Sequence, residues 1–105
     1  MSYEEIDRYI HNWASFHGLK LFTRRNERPA RFAYVSSEAG ECFQISIEEP
    51  IDGWVKIFAS CVEGRRDLHP AEDWRYPTAQ MTEALEEVFQ TVTVWMQPAQ
   101  RYWPD

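Results

Sequence analysis

The sequence predicts an α+β fold: an antiparallel three- or four-stranded sheet flanked by an N-terminal and a C-terminal helix in a two-layer sandwich. Three observations predict it. Apolar residues recur at helical spacing near both ends, in residues 2–17 and 78–97. Between them lie runs rich in aromatic and β-branched residues, bounded by turn residues. An Asp52-Gly53 pair joins the two longest of these runs, a strong signal for a tight hairpin.

The first helix is read from "SYEEIDRYIHNWASFH", where Tyr3, Ile6, Ile10 and Trp13 form an apolar stripe that Tyr9 and Phe16 widen. Ser2 and Glu5 stand as a capping box, and Gly18 is placed to end the helix in a left-handed turn. "LKLFT" (19–23) alternates as a short edge strand, and "RRNERPAR" (24–31) is a basic turn. Strands are expected at 31–37, 41–49 and 54–62.

A two-residue turn at Asp52-Gly53 pairs Ile51 with Trp54, Glu49 with Lys56, Ile47 with Phe58, Ile45 with Ser60 and Phe43 with Val62. The competing four-residue loop sets Ile47 against Lys56 and Cys42 against Cys61, so the first register is preferred. Val55, Ile57, Ala59 and Cys61 then fall on the reverse face, and a strand apolar on both sides reads as central.

Residues 63–77 read as a long charged connection. In the last helix Met81, Leu85, Val88, Val92 and Trp95 line one face, with Ala84, Phe89 and Met96 beside them, and Pro98 stops it. The chain then closes on "WMQPAQRYWPD", too aromatic for a solvated tail. Tyr102 or Trp103 is expected to fold back and complete the core.

At 105 residues the chain is one domain, 1–105, able to bury roughly 60–70% of its unfolded surface. With 44% hydrophobic and 15% aromatic residues it has material for a core, which argues against disorder. The net charge of −6 speaks against general phosphate binding, so no nucleic acid is expected as a partner. Charge is unevenly spread: residues 1–40 are net +1 and residues 41–105 net −7. Cys42 and Cys61 form no CxxC pair and read as small buried thiols of a reducing compartment. No cationic leader or membrane-length apolar run is apparent, so a cytoplasmic protein without membrane contact is expected.

The sequence carries no catalytic or metal signature. His11 follows Asp7 by four residues and His17 ends the first helix, but no second ligand completes an H-E-x-x-H pattern. Both read as surface or capping histidines. His69 lies near Asp67, Glu72 and Asp73, yet a Cys61–His69 dyad needs a placed base and an orienting third group. Four scattered glycines build no phosphate loop, and no cofactor is implied. "ARFAYV" (30–35) partly echoes the aromatic strand of RNA-recognition motifs. It lacks their glycine and their βαββαβ order, so it reads as a packed strand.

The acids are more informative together. Glu48, Glu49 and Asp52 fall at the hairpin tip, and Glu63, Asp67, Glu72 and Asp73 in the connection. Glu83, Glu86 and Glu87 lie on the last helix, and Trp54, Trp74, Tyr76 and Trp103 are interleaved with the set. Carboxylates steer a basic partner and aromatics anchor it. The leading expectation is therefore a non-enzymatic protein-binding domain. Its binding residues are Glu48, Glu49, Asp52, Trp54, Asp67, Glu72, Asp73, Trp74, Tyr76, Glu83, Glu86 and Glu87. A small-ligand or minor enzyme domain with a pocket between sheet and helices, near Cys61 and His69, is the alternative. A homodimer held by the sheet's second apolar face is a third reading.

From about Arg31 to Trp103 the chain runs as a meander, the helix "AQMTEALEEVF", a proline and "QRYW". In this it resembles small acidic immunity proteins of bacterial toxin systems, those that neutralise nucleic-acid-targeting toxins such as deaminases and nucleases. The resemblance implies tight one-to-one binding of a cognate, basic toxin domain and no catalysis.

Overall fold

The computed structural model of the chain describes residues 2–38, 40–63 and 71–96. A 3-10 turn (Tyr3–Glu5) leads into helix α1 (Asp7–Phe16). Five strands follow: β1 (Leu21–Arg25), β2 (Arg28–Ser36), β3 (Cys42–Ile47), β4 (Trp54–Glu63) and β5 (Glu72–Pro77). A second 3-10 turn (Thr78–Gln80) precedes helix α2 (Met81–Trp95). The strands form one antiparallel sheet in the order β1-β2-β3-β4-β5, with both helices on one face.

The helix stripes are buried as their spacing requires. Ile6, Ile10 and Trp13 meet Met81, Leu85, Val88 and Val92 over a sheet face of Ala33, Val35, Phe43, Ile45, Ile47, Val55, Ile57 and Ala59. Ser2 accepts from the Glu4 amide at 3.2 Å, and Gly18 takes φ +67°, ending α1 in a left-handed turn. The predicted N-terminal helix is thus two pieces, because Ile6 breaks the first turn from the rest with ψ −7°.

The sheet has five strands rather than three or four. β5 lies inside the segment read as a charged connection; Asp73 and Arg75 point outward while Trp74 and Tyr76 alternate inward against the core, and Glu72 is exposed where the strand begins. The basic turn is also a hairpin: Arg25 pairs with Arg28, and Asn26 and Glu27 both take positive φ, as a two-residue type I′ turn demands.

The Asp52-Gly53 turn forms as expected, both residues at positive φ, and Ile51 bridges Trp54. The register beyond it does not follow the expectation. The amide of Glu48, not that of Glu49, donates to the Lys56 carbonyl at 2.9 Å, and Ile47 faces Ile57, Ile45 faces Ala59 and Phe43 faces Cys61. One extra residue is taken up at Glu49-Pro50, where buried Pro50 has no N–H to give the ladder. A slip of one residue exchanges the faces of β4. Val55, Ile57, Ala59 and Cys61 therefore point into the core, while Trp54, Lys56, Phe58 and Ser60 lie on the opposite face. Cys42 opposes Glu63 across a second irregularity and is only half-buried, so the two free thiols are not neighbours across the ladder.

One ion pair ties the N-terminal turns to the sheet. Arg31 on β2 grips Asp7 with two bonds, Nε–Oδ1 at 2.6 Å and Nη2–Oδ2 at 3.0 Å, and its guanidinium lies 4.3 Å from the Tyr3 ring centroid. The hydrogen bonds from Arg31 hold the Asp7 carboxyl below its ordinary pKa, against a smaller opposing effect of burial. Stability from this pair is present in full above the ordinary carboxylate range and is lost as pH falls through the depressed value, below about 4. Asp7→Asn is expected to be less stable than the parent at neutral pH and to lose less on acidification. Parallel stability curves for the two proteins from about pH 6 to pH 2 would contradict it.

Candidate functional site

Two large apolar side chains project from the β3–β4 hairpin tip: Ile51 is 62% exposed and Trp54 47%. Their backbones exchange both hydrogen bonds, at 2.8 and 3.0 Å, and the Thr78 amide donates to the Gly53 carbonyl at 2.9 Å. The turn is thereby fastened to the segment that opens α2. Anchors held this way lose little freedom on binding.

Around them is a groove of about 420 Å³ lined by Glu48, Glu49, Ile51, Asp52, Trp54, Val55, Lys56 and Arg75. The Arg75 guanidinium lies 5.8 Å from the Trp54 ring centroid, and Lys56 Nζ is 3.7 Å from the Asp73 carboxylate. Glu48, Glu49 and Asp52 are exposed. Where β3 runs into this segment, the Tyr3 hydroxyl donates to the Ile47 carbonyl at 3.0 Å, fixing the N-terminal turn to the last residue of β3. Burial raises the Tyr3 phenol above its ordinary pKa, and the Glu49 carboxylate adds to the rise.

The remaining expected binding residues are elsewhere. Glu72 and Asp73 are exposed at the start of β5. Trp74 and Tyr76 are half-buried against the core on the helix side, so neither is offered as a free anchor. On α2, Glu83 is exposed, whereas Glu86 and Glu87 are engaged within the fold. Glu86 Oε2 is 2.7 Å from His17 Nε2, and the His17 ring stacks on Phe89 with centroids 3.9 Å apart. Glu87 accepts from the Tyr76 hydroxyl. Burial first, then that hydrogen bond, push the Tyr76 phenol well above its ordinary range. These contacts pin α2 to α1 and to β5. Asp67, His69, Tyr102 and Trp103 lie outside the described residues, as does Pro98.

The structure therefore gathers Glu48, Glu49, Asp52 and Trp54 into one place and sets the others apart from it. Sequence reasoning missed Ile51, Lys56 and Arg75 as members of the tip. An apolar residue directly flanking a type I′ turn, beyond the reach of the core, is the signal that would have found Ile51.

Two features bear on the alternative readings. Cys61 is buried on the helix-covered face of β4. A second groove, about 450 Å³, lies between the helices against Tyr9, Asn12, Trp13, Phe16, Thr82 and Glu86, with Phe16 82% exposed at its rim. Among the described residues no group of three or more His, Cys, Asp or Glu side chains is placed to hold a metal ion. No described helix is long and apolar enough to cross a membrane. Comparison of the chain with protein-family models, curated proteins and solved structures returns no match.

Proposed function

We propose that this chain is a non-enzymatic protein-binding domain whose hairpin tip docks on a basic partner, in the manner of an immunity protein that neutralises a toxin. One observation carries the reading: Ile51 and Trp54 stand exposed on a fastened turn, rimmed by the carboxylates of Glu48, Glu49 and Asp52. Apolar anchors surrounded by charge are the usual anatomy of an interface hot spot. The carboxylates supply the steering for a cationic surface. Lys56 and Arg75 line the same groove, where Arg75 lies against Trp54 and both cations offset part of the acidic field.

The test is a titration of the chain against the protein encoded beside it, by calorimetry and stopped-flow mixing. Ile51→Ala and Trp54→Ala are each expected to cost about 2 kcal/mol or more in affinity while leaving the melting temperature nearly unchanged. Reversal of Glu48, Glu49 and Asp52 to lysine is expected to slow association and flatten its salt dependence. Binding that ignores both sets of substitutions, or a partner with an acidic contact surface, removes the tip from the interface.

A further inference from the structure

The sheet's second face is covered by no described element, and an open antiparallel face is ordinarily polar. Here it is aromatic. Phe22, Phe32, Ser46 and Phe58 are successive lateral partners, so three rings lie in one row across β1 to β4. The Phe22 and Phe32 rings stack at 5.1 Å and 8°, and Tyr34 meets both edge-on at 5.6 and 5.9 Å. Tyr34 is 40% exposed, and Gln44 and Ser46, bonded to each other at 2.7 Å, offer polar groups beside the rings.

Cations lie on these rings. Lys20 is 5.2 Å from the Phe22 centroid, Arg25 is 4.2 Å from Phe32 and Lys56 is 4.9 Å from Phe58. Arg75 completes the set over Trp54 at the tip end. Lys56 and Arg75 share their end of the face with carboxylates: Asp73 pairs with Lys56, and Glu48, Glu49 and Asp52 line the same groove. The β1–β2 end of the face, with Lys20, Arg25 and the neighbouring Arg28, is therefore the locally positive part of a chain whose net charge is −6. The ligand that matches it carries both planar rings and negative charge.

We propose that this open face binds single-stranded nucleic acid. Bases stack on Tyr34 and Phe22, and Lys20 and Arg25 turn from the rings to the phosphates. Paired bases present no free ring faces, so a duplex is not a ligand. The acidic remainder of the chain repels a polyanion at long range, but at about 0.1 M salt that field is screened within ~10 Å, leaving the local face to decide. The inference does not rest on the protein-binding reading of the tip, and its key residues lie on β1, β2 and the segment leading into β1.

The test uses the full chain and a fluorescein-labelled single-stranded RNA of about eight nucleotides, with its DNA counterpart, read by anisotropy at about 0.1 M salt. Binding in the ~10 µM range is expected, with Tyr34→Ala weakening it about tenfold and Tyr34→Phe restoring it. Lys20→Glu with Arg25→Glu is expected to lower affinity about tenfold or more and to reduce the salt slope by about 0.7 for each phosphate no longer neutralised. Ile51→Ala, at the tip, should leave this affinity unchanged whatever it does to a protein partner. Tyr34 is exposed enough that circular dichroism of Tyr34→Ala should match the parent. Absence of binding, or equal binding of a duplex, overturns the proposal. So does displacement of the RNA by an equal concentration of poly-glutamate, which would mark a face for acidic protein. Self-association abolished by Tyr34→Ala would instead assign the face to a second copy of the chain and overturn it likewise.

Discussion

Ile57→Lys is expected to unfold the domain, while Phe58→Lys, one residue along the same strand, leaves it folded. Ile57 is fully buried; its lateral neighbours are Ile47 and Trp74, and both helices cover that face. Losing its buried methyl groups costs about 2–5 kcal/mol. An ammonium without a partner in that site adds several kcal/mol more. Together these approach the ~5–15 kcal/mol that holds a domain of this size together. Phe58 points the other way, between Ser46 and Asp73 and under the Lys56 ammonium. A lysine there reaches water and the Asp73 carboxylate, so a loss of about 1–2 kcal/mol is expected. Urea unfolding followed by circular dichroism reads both. The register with Ile47 opposite Phe58 would reverse the order of the two, and equal losses would deny that β4 has one core face.

That reversal marks where sequence reasoning stops. The stripes of both helices, the Asp52-Gly53 turn and the left-handed Gly18 are legible because each rests on neighbours within about four residues. The register of β4 is not legible in the same way. Both of its faces are apolar, so patterning cannot say which one meets the helices, and the tie is broken by Pro50, which forces an extra residue into the opposing segment. β5 is hidden for a different reason: Glu72, Asp73 and Arg75 give its segment the composition of a loop, and only Trp74 and Tyr76 betray the period of two. The site divides along the same line. Glu48, Glu49, Asp52 and Trp54 meet because the turn brings them together locally. Trp74, Tyr76, Glu86 and Glu87 look like free surface groups in the sequence, and only the tertiary fold half-buries the two rings and gives the two carboxylates, Glu87 still exposed, their His17 and Tyr76 partners. The packed-strand reading of "ARFAYV" holds for Ala33 and Val35, buried in the core, and for Phe32, buried on the other face under Phe22, Tyr34 and Arg25, while Tyr34 is exposed.

The two faces of the sheet should also differ in what an aromatic ring contributes, and Phe43→Ala against Tyr34→Ala measures it. Phe43 is fully buried in β3, the central strand, between Val35 and Cys61, with the Trp95 ring 5.8 Å away at 42°. Its truncation opens a cavity where strands on both sides and α2 above are held in place, so little collapse can compensate. A loss of about 3–5 kcal/mol is expected, a large share of the total. Tyr34 packs only edge-on against Phe22 and Phe32 and is exposed to solvent, which fills any space its removal leaves. Its truncation should cost about 1 kcal/mol or less. Denaturant midpoints with unchanged slopes would report both as native-state effects. If Tyr34→Ala proved as damaging as Phe43→Ala, the outer rings would be a second core that stabilises the sheet, and the exposure of Tyr34 would need no ligand. A small loss at Tyr34 beside a large one at Phe43 leaves an exposed ring, set on the buried Phe32 and half-buried Phe22, that stability does not account for, as expected of a surface that serves recognition.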